Sequence, residues 1–297
     1  MENEIVFYKR DGEKCVEKAP GVGFLRFLYG NNLFGAFSLN TLVRRKSFSI
    51  WFGKYMSSSR SKSKIQPFID KHKIDMSEYI EPSGGFQSFN QFFYRRIKDE
   101  CRPLGDGFVC PADGRVVAFP TIEESTRFYI KGQDFDIPTF LGDKELAKKY
   151  LGGSIMVVRL APVDYHRYHF PCDGMPGPSK LINGYLYSVS PVALKQNFRI
   201  FWENKREYCI HQSPDFGDVI ICDVGATLTG TIIQTYEENK SIKKGDEKGH
   251  FAFGGSTLVI LLPPNKIKWS EDLLKNSLNG KETYVKMGEK IGNKIED

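Results

Sequence analysis

Three short stretches carry the residue types most suited to chemistry. The run Phe251-Ala252-Phe253-Gly254-Gly255-Ser256-Thr257-Leu258 sets a serine hydroxyl behind two glycines. Glycine admits backbone angles closed to other residues and leaves the preceding carbonyl unshielded. A hydroxyl held against the Gly255–Ser256 amide could therefore attack it intramolecularly, with proximity replacing a bimolecular encounter. Taken alone, the same residues also read as an ordinary Gly-Gly turn leading into a buried strand.

The second stretch runs from Arg159 to Cys172 and places His166 and His169 three residues apart, just beyond a strand. Zinc would need a third ligand that the neighbourhood does not offer. Proton transfer suits imidazole better, because its pKa lies near neutrality. A pair of hydrogen-bonded histidines at a strand end is the plainer alternative. The third stretch, Val109-Cys110-Pro111-Ala112-Asp113-Gly114-Arg115-Val116, centres on Asp113. An Asp-Gly pair makes a turn in its own right, and its carboxylate could equally orient a histidine in an Asp–His–Ser relay.

These residues need a scaffold, and its elements differ along the chain. Residues 1–20 read as a short strand, Ile5-Val6-Phe7-Tyr8, followed by a charged turn. From Gly21 to about Lys73 the apolar spacing is helical, with Phe24, Phe27 and Leu28 one turn apart and Phe48, Trp51, Phe52 and Tyr55 at intervals of three and four. Residues 57–63 form a Ser/Lys-rich polar connector. A further helix is expected over Ser88–Ile97, with Ser88 as its N-cap. After Arg102-Pro103 the texture changes to short apolar runs separated by Gly and Pro: Gly114–Phe119, Ser154–Leu160, Val219–Cys222 and Thr257–Leu262. These read as strands of a sandwich or partly closed barrel, not of a parallel doubly wound sheet. The division expected is a helical part over residues 1–105 and a β-rich domain over 106–297.

Composition adds the setting. The chain of 297 residues has 40% hydrophobic and 26% charged residues, which describes a globular protein able to bury a core. Its net charge of +6 is unevenly spread, since residues 19–69 contain no Asp or Glu but do contain Arg26, Arg44, Arg45, Lys46, Lys54, Arg60, Lys62 and Lys64. A basic, aromatic segment of this kind suits an anionic surface. The six cysteines form no C-x-x-C pair, and the N-terminus is acidic without an apolar run. Reduced thiols in a cytosolic compartment and no secretory leader are the expectation. No stretch reaches the roughly 18–20 apolar residues that span a bilayer.

Taken together, Phe89-x-x-Phe92-Phe93-x-Arg95, Arg102-Pro103, Pro111-Ala112-Asp113-Gly114, Asp164-Tyr165-His166-Arg167-x-His169, Val224-Gly225-Ala226 and Gly254-Gly255-Ser256-Thr257 resemble the successive blocks of phosphatidylserine decarboxylase proenzymes. They stand in the same order from about residue 20 onward. Gly254 occupies a position where many members have Leu, and Gly-Gly-Ser-Thr is a known variant.

The resemblance implies that Asp113 orients His169, which deprotonates Ser256. Ser256 then attacks the Gly255 carbonyl, the peptide becomes an ester, and elimination splits the chain into 1–255 and 256–297, which remain partners. Residue 256 becomes a pyruvoyl group, which forms a Schiff base with phosphatidylserine and releases CO2 to leave phosphatidylethanolamine. His166 is the implied proton carrier at the substrate carbon, although the two histidines could exchange roles. The resemblance further implies no metal, no added cofactor and no nucleic acid. It implies peripheral attachment to an anionic membrane surface at the cytoplasmic face of the cell membrane, and it leaves a homodimer open. The implied fold is α+β, with N-terminal helices on a mostly antiparallel β domain resembling a biotinyl/lipoyl-type hybrid barrel. The rivals are a pyruvoyl decarboxylase of a soluble amino acid and a non-catalytic β-hybrid or nucleic-acid-binding module, whose binding would weaken steeply with salt.

Overall fold

The computed structural model describes residues 5–17, 46–122, 136–189, 199–226, 231–252 and 256–296. The helical pattern expected around Phe24, Phe27 and Leu28, the side chain of Phe48, and the two glycines before Ser256 lie outside the described residues.

A ten-stranded sheet organises the chain. Its strands are β1 (Ile5–Tyr8), β2 (Lys14–Glu17), β3 (Gly114–Phe119), β4 (Ser154–Leu160), β5 (Met175–Pro176), β6 (Lys180–Ile182), β7 (Arg206–Ser213), β8 (Gly217–Gly225), β9 (Ser256–Leu262) and β10 (Glu282–Val285). The order is β6-β7-β8-β9-β4-β3-β10-β1-β2, with β5 also on β7. Every pairing is antiparallel except β1 with β10. Among the described residues β6 and β2 are the two edges, so the sheet is open and does not close into a barrel.

The central strands read as continuous apolar runs because both of their faces are covered. Successive side chains point to opposite faces, and the two faces feed separate cores. Val117, Ile155, Val157, Val259 and Leu261 pack with Phe140, Leu141 and Phe201 from the short helices on one side. Val116, Met156, Val158, Leu258 and Ile260 pack on the other with Tyr168, Phe170, Phe251 and Trp269. That second face is covered by a three-stranded sheet of Ile232–Gln234, Glu247–Phe251 and Arg167–His169, and by a second one of Ile267–Trp269, Lys290–Lys294 and Phe108–Val109.

The N-terminal helices are α1 (Lys46–Ser57), α2 (Ile65–His72) and α3 (Phe89–Phe93). The expected polar connector is instead largely a 3-10 helix, Ser59–Lys64, because the Ser61 hydroxyl turns back onto the Met56 and Ser58 carbonyls at 2.8 and 2.7 Å. Ser88 caps α3 as expected, accepting from the Gln91 amide at 3.2 Å. The helix stops at Tyr94, short of the expected Ile97, because Arg96–Ile97 pairs as a strand with Tyr79–Ile80. Phe86, Phe89, Phe92 and Phe93 form a separate aromatic cluster with Met56 and Ile65. The expected division at residue 105 is bridged, since β1 and β2 precede it and yet belong to the sheet. No helix among the described residues is long and apolar enough to cross a membrane.

Candidate active site

Ser256 is the first residue of β9 and is paired on both sides, with Leu160 of β4 and Gly225 of β8. It is fully buried, and its Oγ has no hydrogen-bond partner among the described residues. Leaving a buried hydroxyl unpaired costs on the order of 1–3 kcal/mol, so such a group asks for a reason. Thr257 Oγ1 is orphaned in the same way. What separates the two is direction. Alternation along the strand turns Ser256 with Leu258 and Ile260 toward the face covered by the three-stranded sheet, and Thr257 away from it.

That small sheet brings the histidines alongside the segment that leads into Ser256. Glu247 lies opposite His169 and His250 opposite Arg167, and the Phe251 amide donates to the His166 carbonyl at 3.0 Å. Five residues beyond Phe251 the chain reaches Ser256. The 166–169 segment thus runs beside Glu247–Phe251, while Leu160, six residues before His166, is paired with Ser256 itself.

Both imidazoles have their Nδ1 committed to a carbonyl. His166 donates from Nδ1 to the Asp164 carbonyl at 2.9 Å, which leaves the lone pair on Nε2. Its ring lies against that of Phe93, with centroids 3.8 Å apart. His169 donates from Nδ1 to the Gly245 carbonyl at 2.8 Å and accepts at Nε2 from the Tyr165 hydroxyl at 3.1 Å. Burial holds the His169 pKa below that of free imidazole, against the opposing pull of the Gly245 carbonyl, Glu247 and Asp113. It is a neutral base at physiological pH.

Asp113 sits in the turn before β3, and that turn touches His169, because the His169 amide donates to the Pro111 carbonyl at 2.8 Å. The carboxylate, however, is spoken for. It accepts from Arg102 Nε at 2.9 Å and Nη2 at 2.5 Å, and from the Met287 amide at 2.8 Å. Among the described residues no hydrogen bond joins Asp113 to His169. The structure therefore brings the two side by side, with the Asp113 charge acting on the imidazole through space, while Gly245 and Tyr165 supply the direct contacts.

The chain can now be set beside known proteins. A family model described as phosphatidylserine decarboxylase matches residues 89–293. A phosphatidylserine decarboxylase proenzyme of Fusobacterium nucleatum is 49% identical over 288 residues, 96% of each chain. One of Clostridium novyi is 41% identical over 293 residues, covering 98% of this chain and 99% of its own. One of Chlamydia pneumoniae is 44% identical over 269 residues, 90% of this chain and 89% of its own. This chain belongs to the phosphatidylserine decarboxylase family.

For this decarboxylase family member, several of the matching blocks acquire a physical reason. Phe93 backs the His166 ring. Arg95, buried against the Tyr79 and Phe92 rings, donates to the Val163 carbonyl at 3.1 Å and so ties α3 to the loop before His166. Arg102 neutralises Asp113 and reaches Glu78 at 2.9 Å. Gly225 is the residue opposite Ser256. Tyr165 and Gly245 were not singled out by sequence reasoning. Tyr165 lay in view between Asp164 and His166, but nothing in the sequence marked the Gly245 carbonyl as a partner.

Proposed function

We propose that the protein is a phosphatidylserine decarboxylase that matures by cutting itself between residues 255 and 256. The observation that carries this reading is the buried Ser256 hydroxyl, without a hydrogen-bond partner among the described residues, at the head of a central strand whose preceding segment, Glu247–Phe251, is paired through its backbone with the segment that bears the two carbonyl-anchored imidazoles. His169 takes the Ser256 proton as Oγ adds to the Gly255 carbonyl, and Tyr165 yields Nε2 in that step. The amide becomes an ester with the 256 amino group freed, and loss of the proton at the 256 α-carbon expels the 255 carboxylate. Hydrolysis of the resulting dehydroalanine releases ammonia and leaves a keto group at residue 256.

The orphaned hydroxyl at a strand head is compatible with that modified residue. A pyruvoyl group there supplies an electron-accepting ketone for decarboxylating an α-amino acid headgroup. His166, with its lone pair on Nε2, carries the proton delivered to the substrate carbon. The buried surroundings favour loss of the carboxylate charge.

The same proposal places the basic, acid-free segment 19–69 on anionic lipid at the cytoplasmic membrane face, where phosphatidylserine is met. It keeps fragments 1–255 and 256–297 together as one enzyme, allows a homodimer, and treats the strands around Ser256 as a biotinyl/lipoyl-like core. Denaturing gels of freshly expressed protein test the central claim. Two bands are expected, with one band for Ser256→Ala and a blocked keto N-terminus on the small fragment by mass spectrometry. A wild-type chain that never divides would refute it. Replacing Arg26, Arg44 and Arg45 by Glu should abolish flotation on phosphatidylserine vesicles while leaving cleavage intact.

A further inference from the structure

The two N-terminal strands contribute no residue to the main cores, yet they hold a place in the sheet. Their contribution is polar. The side chain of Glu17, the last residue of β2, is almost fully buried, accepts from the Arg159 guanidinium at 3.2 and 2.9 Å, and forms an ion pair with Arg115, whose Nε lies 3.0 Å away without making a hydrogen bond. Arg159 is shared with Glu282 of β10 at 2.8 and 2.6 Å. The other arm of Arg115, Nη1, donates to the Asp164 carboxylate. Its guanidinium is flanked by the rings of Phe7 and Tyr284, with centroids 4.8 and 5.2 Å away.

Asp164 is where this chain of contacts meets the site. Its carboxylate also accepts from the Ala161 amide at 2.6 Å, and its own amide donates to the Ala161 carbonyl at 2.9 Å. That closes the turn leaving β4. Its carbonyl is the acceptor for His166 Nδ1–H. The direction of that carbonyl, and with it the tautomer and aim of His166, depends on the turn, and the turn is closed by a carboxylate whose one ion-pair partner among the described residues is Arg115.

We propose that Arg115, braced by Glu17, and Asp164 are positioning residues for decarboxylation, setting His166 through the Asp164 carbonyl. The N-terminal strand pair is then part of the machinery, delivering Glu17 and Phe7 to Arg115. This rests on the reading of His166 as the proton carrier of the second reaction and of His169 as the base of the first. The two stages are therefore separable. Disturbing Arg115 or Asp164 should leave chain cleavage largely intact and slow turnover.

The test uses the full-length protein with Asp164→Ala, Asp164→Asn, Glu17→Gln and His166→Ala, measured on phosphatidylserine in detergent micelles. Rates are expressed per pyruvoyl group, counted by mass spectrometry of the small fragment. Asp164→Ala should cleave and lose on the order of tenfold to a hundredfold in kcat with KM little changed, within the range a positioned proton carrier contributes. Asp164→Asn, whose amide oxygen can still accept from Ala161 and Arg115, should recover most of the loss. Glu17→Gln should lose about threefold to tenfold in kcat. If Asp164→Ala does not fold, Glu17→Gln and Asp164→Asn decide. Wild-type kcat per pyruvoyl group in Glu17→Gln, or equal loss in Asp164→Asn and Asp164→Ala, overturns the proposal. Full turnover by His166→Ala would instead overturn the assignment of His166, and the proposal with it. An inactive His166→Ala beside fully active Asp164→Ala removes the positioning role alone.

Discussion

The most informative single residue is Asp113, because it has two claims on it. It is 2% exposed and so is Arg102, its partner. Breaking a buried ion pair from one side costs about 3–5 kcal/mol, whereas replacing both members by apolar groups is often neutral. Asp113→Ala is therefore expected to lower both stability and cleavage. The double replacement Asp113→Leu with Arg102→Met should restore much of the stability, read by urea unfolding, but not cleavage, read on gels. Recovery of cleavage would mean that the carboxylate serves only Arg102.

His169 gives a prediction in pH. Its pKa is depressed mainly by burial, with Arg167 adding to the effect and the Gly245 carbonyl, Glu247 and Asp113 opposing it. Between that lowered value and the ordinary value of about 6.5, the unfolded chain binds the extra proton and the native chain does not. The His169 contribution to stability is thus complete above about pH 6.5 and is lost as the pH falls below it. The rate of self-cleavage should hold at its neutral-pH value below about 6.5 before its acid limb begins, since the base remains unprotonated there. An acid limb centred at or above the free-imidazole value would contradict this.

At the scale of elements, legibility followed burial. β3, β4 and β9 were plain in the sequence because a strand covered on both faces must be apolar throughout, and β4 matches its expected bounds. The short, half-exposed β1 was legible as a strand over Ile5–Tyr8, but its place in the sheet was not. The parallel pairing of β1 with β10 joins Phe7 to Glu282, and no local pattern announces a contact across nearly the whole chain. The three residues of the expected relay, and His166 beside them, were legible only as motifs. Their supports Glu17, Arg115 and Gly245 were not, since ion pairs and carbonyl acceptors leave no periodicity.

Two turn-level features yield tests. Ser88→Ala removes the α3 cap and should cost about 1 kcal/mol of stability in denaturant unfolding. Gly245 adopts a φ of 87°, and a Cβ there would come within 2.6 Å of Leu104. Gly245→Ala should therefore tilt the carbonyl that anchors His169 and slow cleavage, measured as persistence of the uncut band, more than it lowers the unfolding midpoint. The opposite ranking would make that turn a matter of stability alone.

For the molecule as a whole, the position of β9 decides what maturation can do. The strand that begins with Ser256 is bonded along its length to β8 on one side and β4 on the other, and its side chains enter both cores. The smaller fragment also carries β10, whose Glu282 meets Arg159 and whose strand receives β1. After cleavage the fragments should co-migrate on size exclusion under native conditions and part only when the whole structure unfolds. Urea should release both together in one transition, and a small fragment that washes free at low urea would count against this sheet order.

A central strand cannot be exchanged like a cofactor. Once its leading residue has been converted, there is no route by which a damaged reactive group could be swapped for a fresh copy without dismantling the sheet. On the maturation proposed above, each molecule would carry one reactive group for its lifetime, and renewal of activity would come from new synthesis.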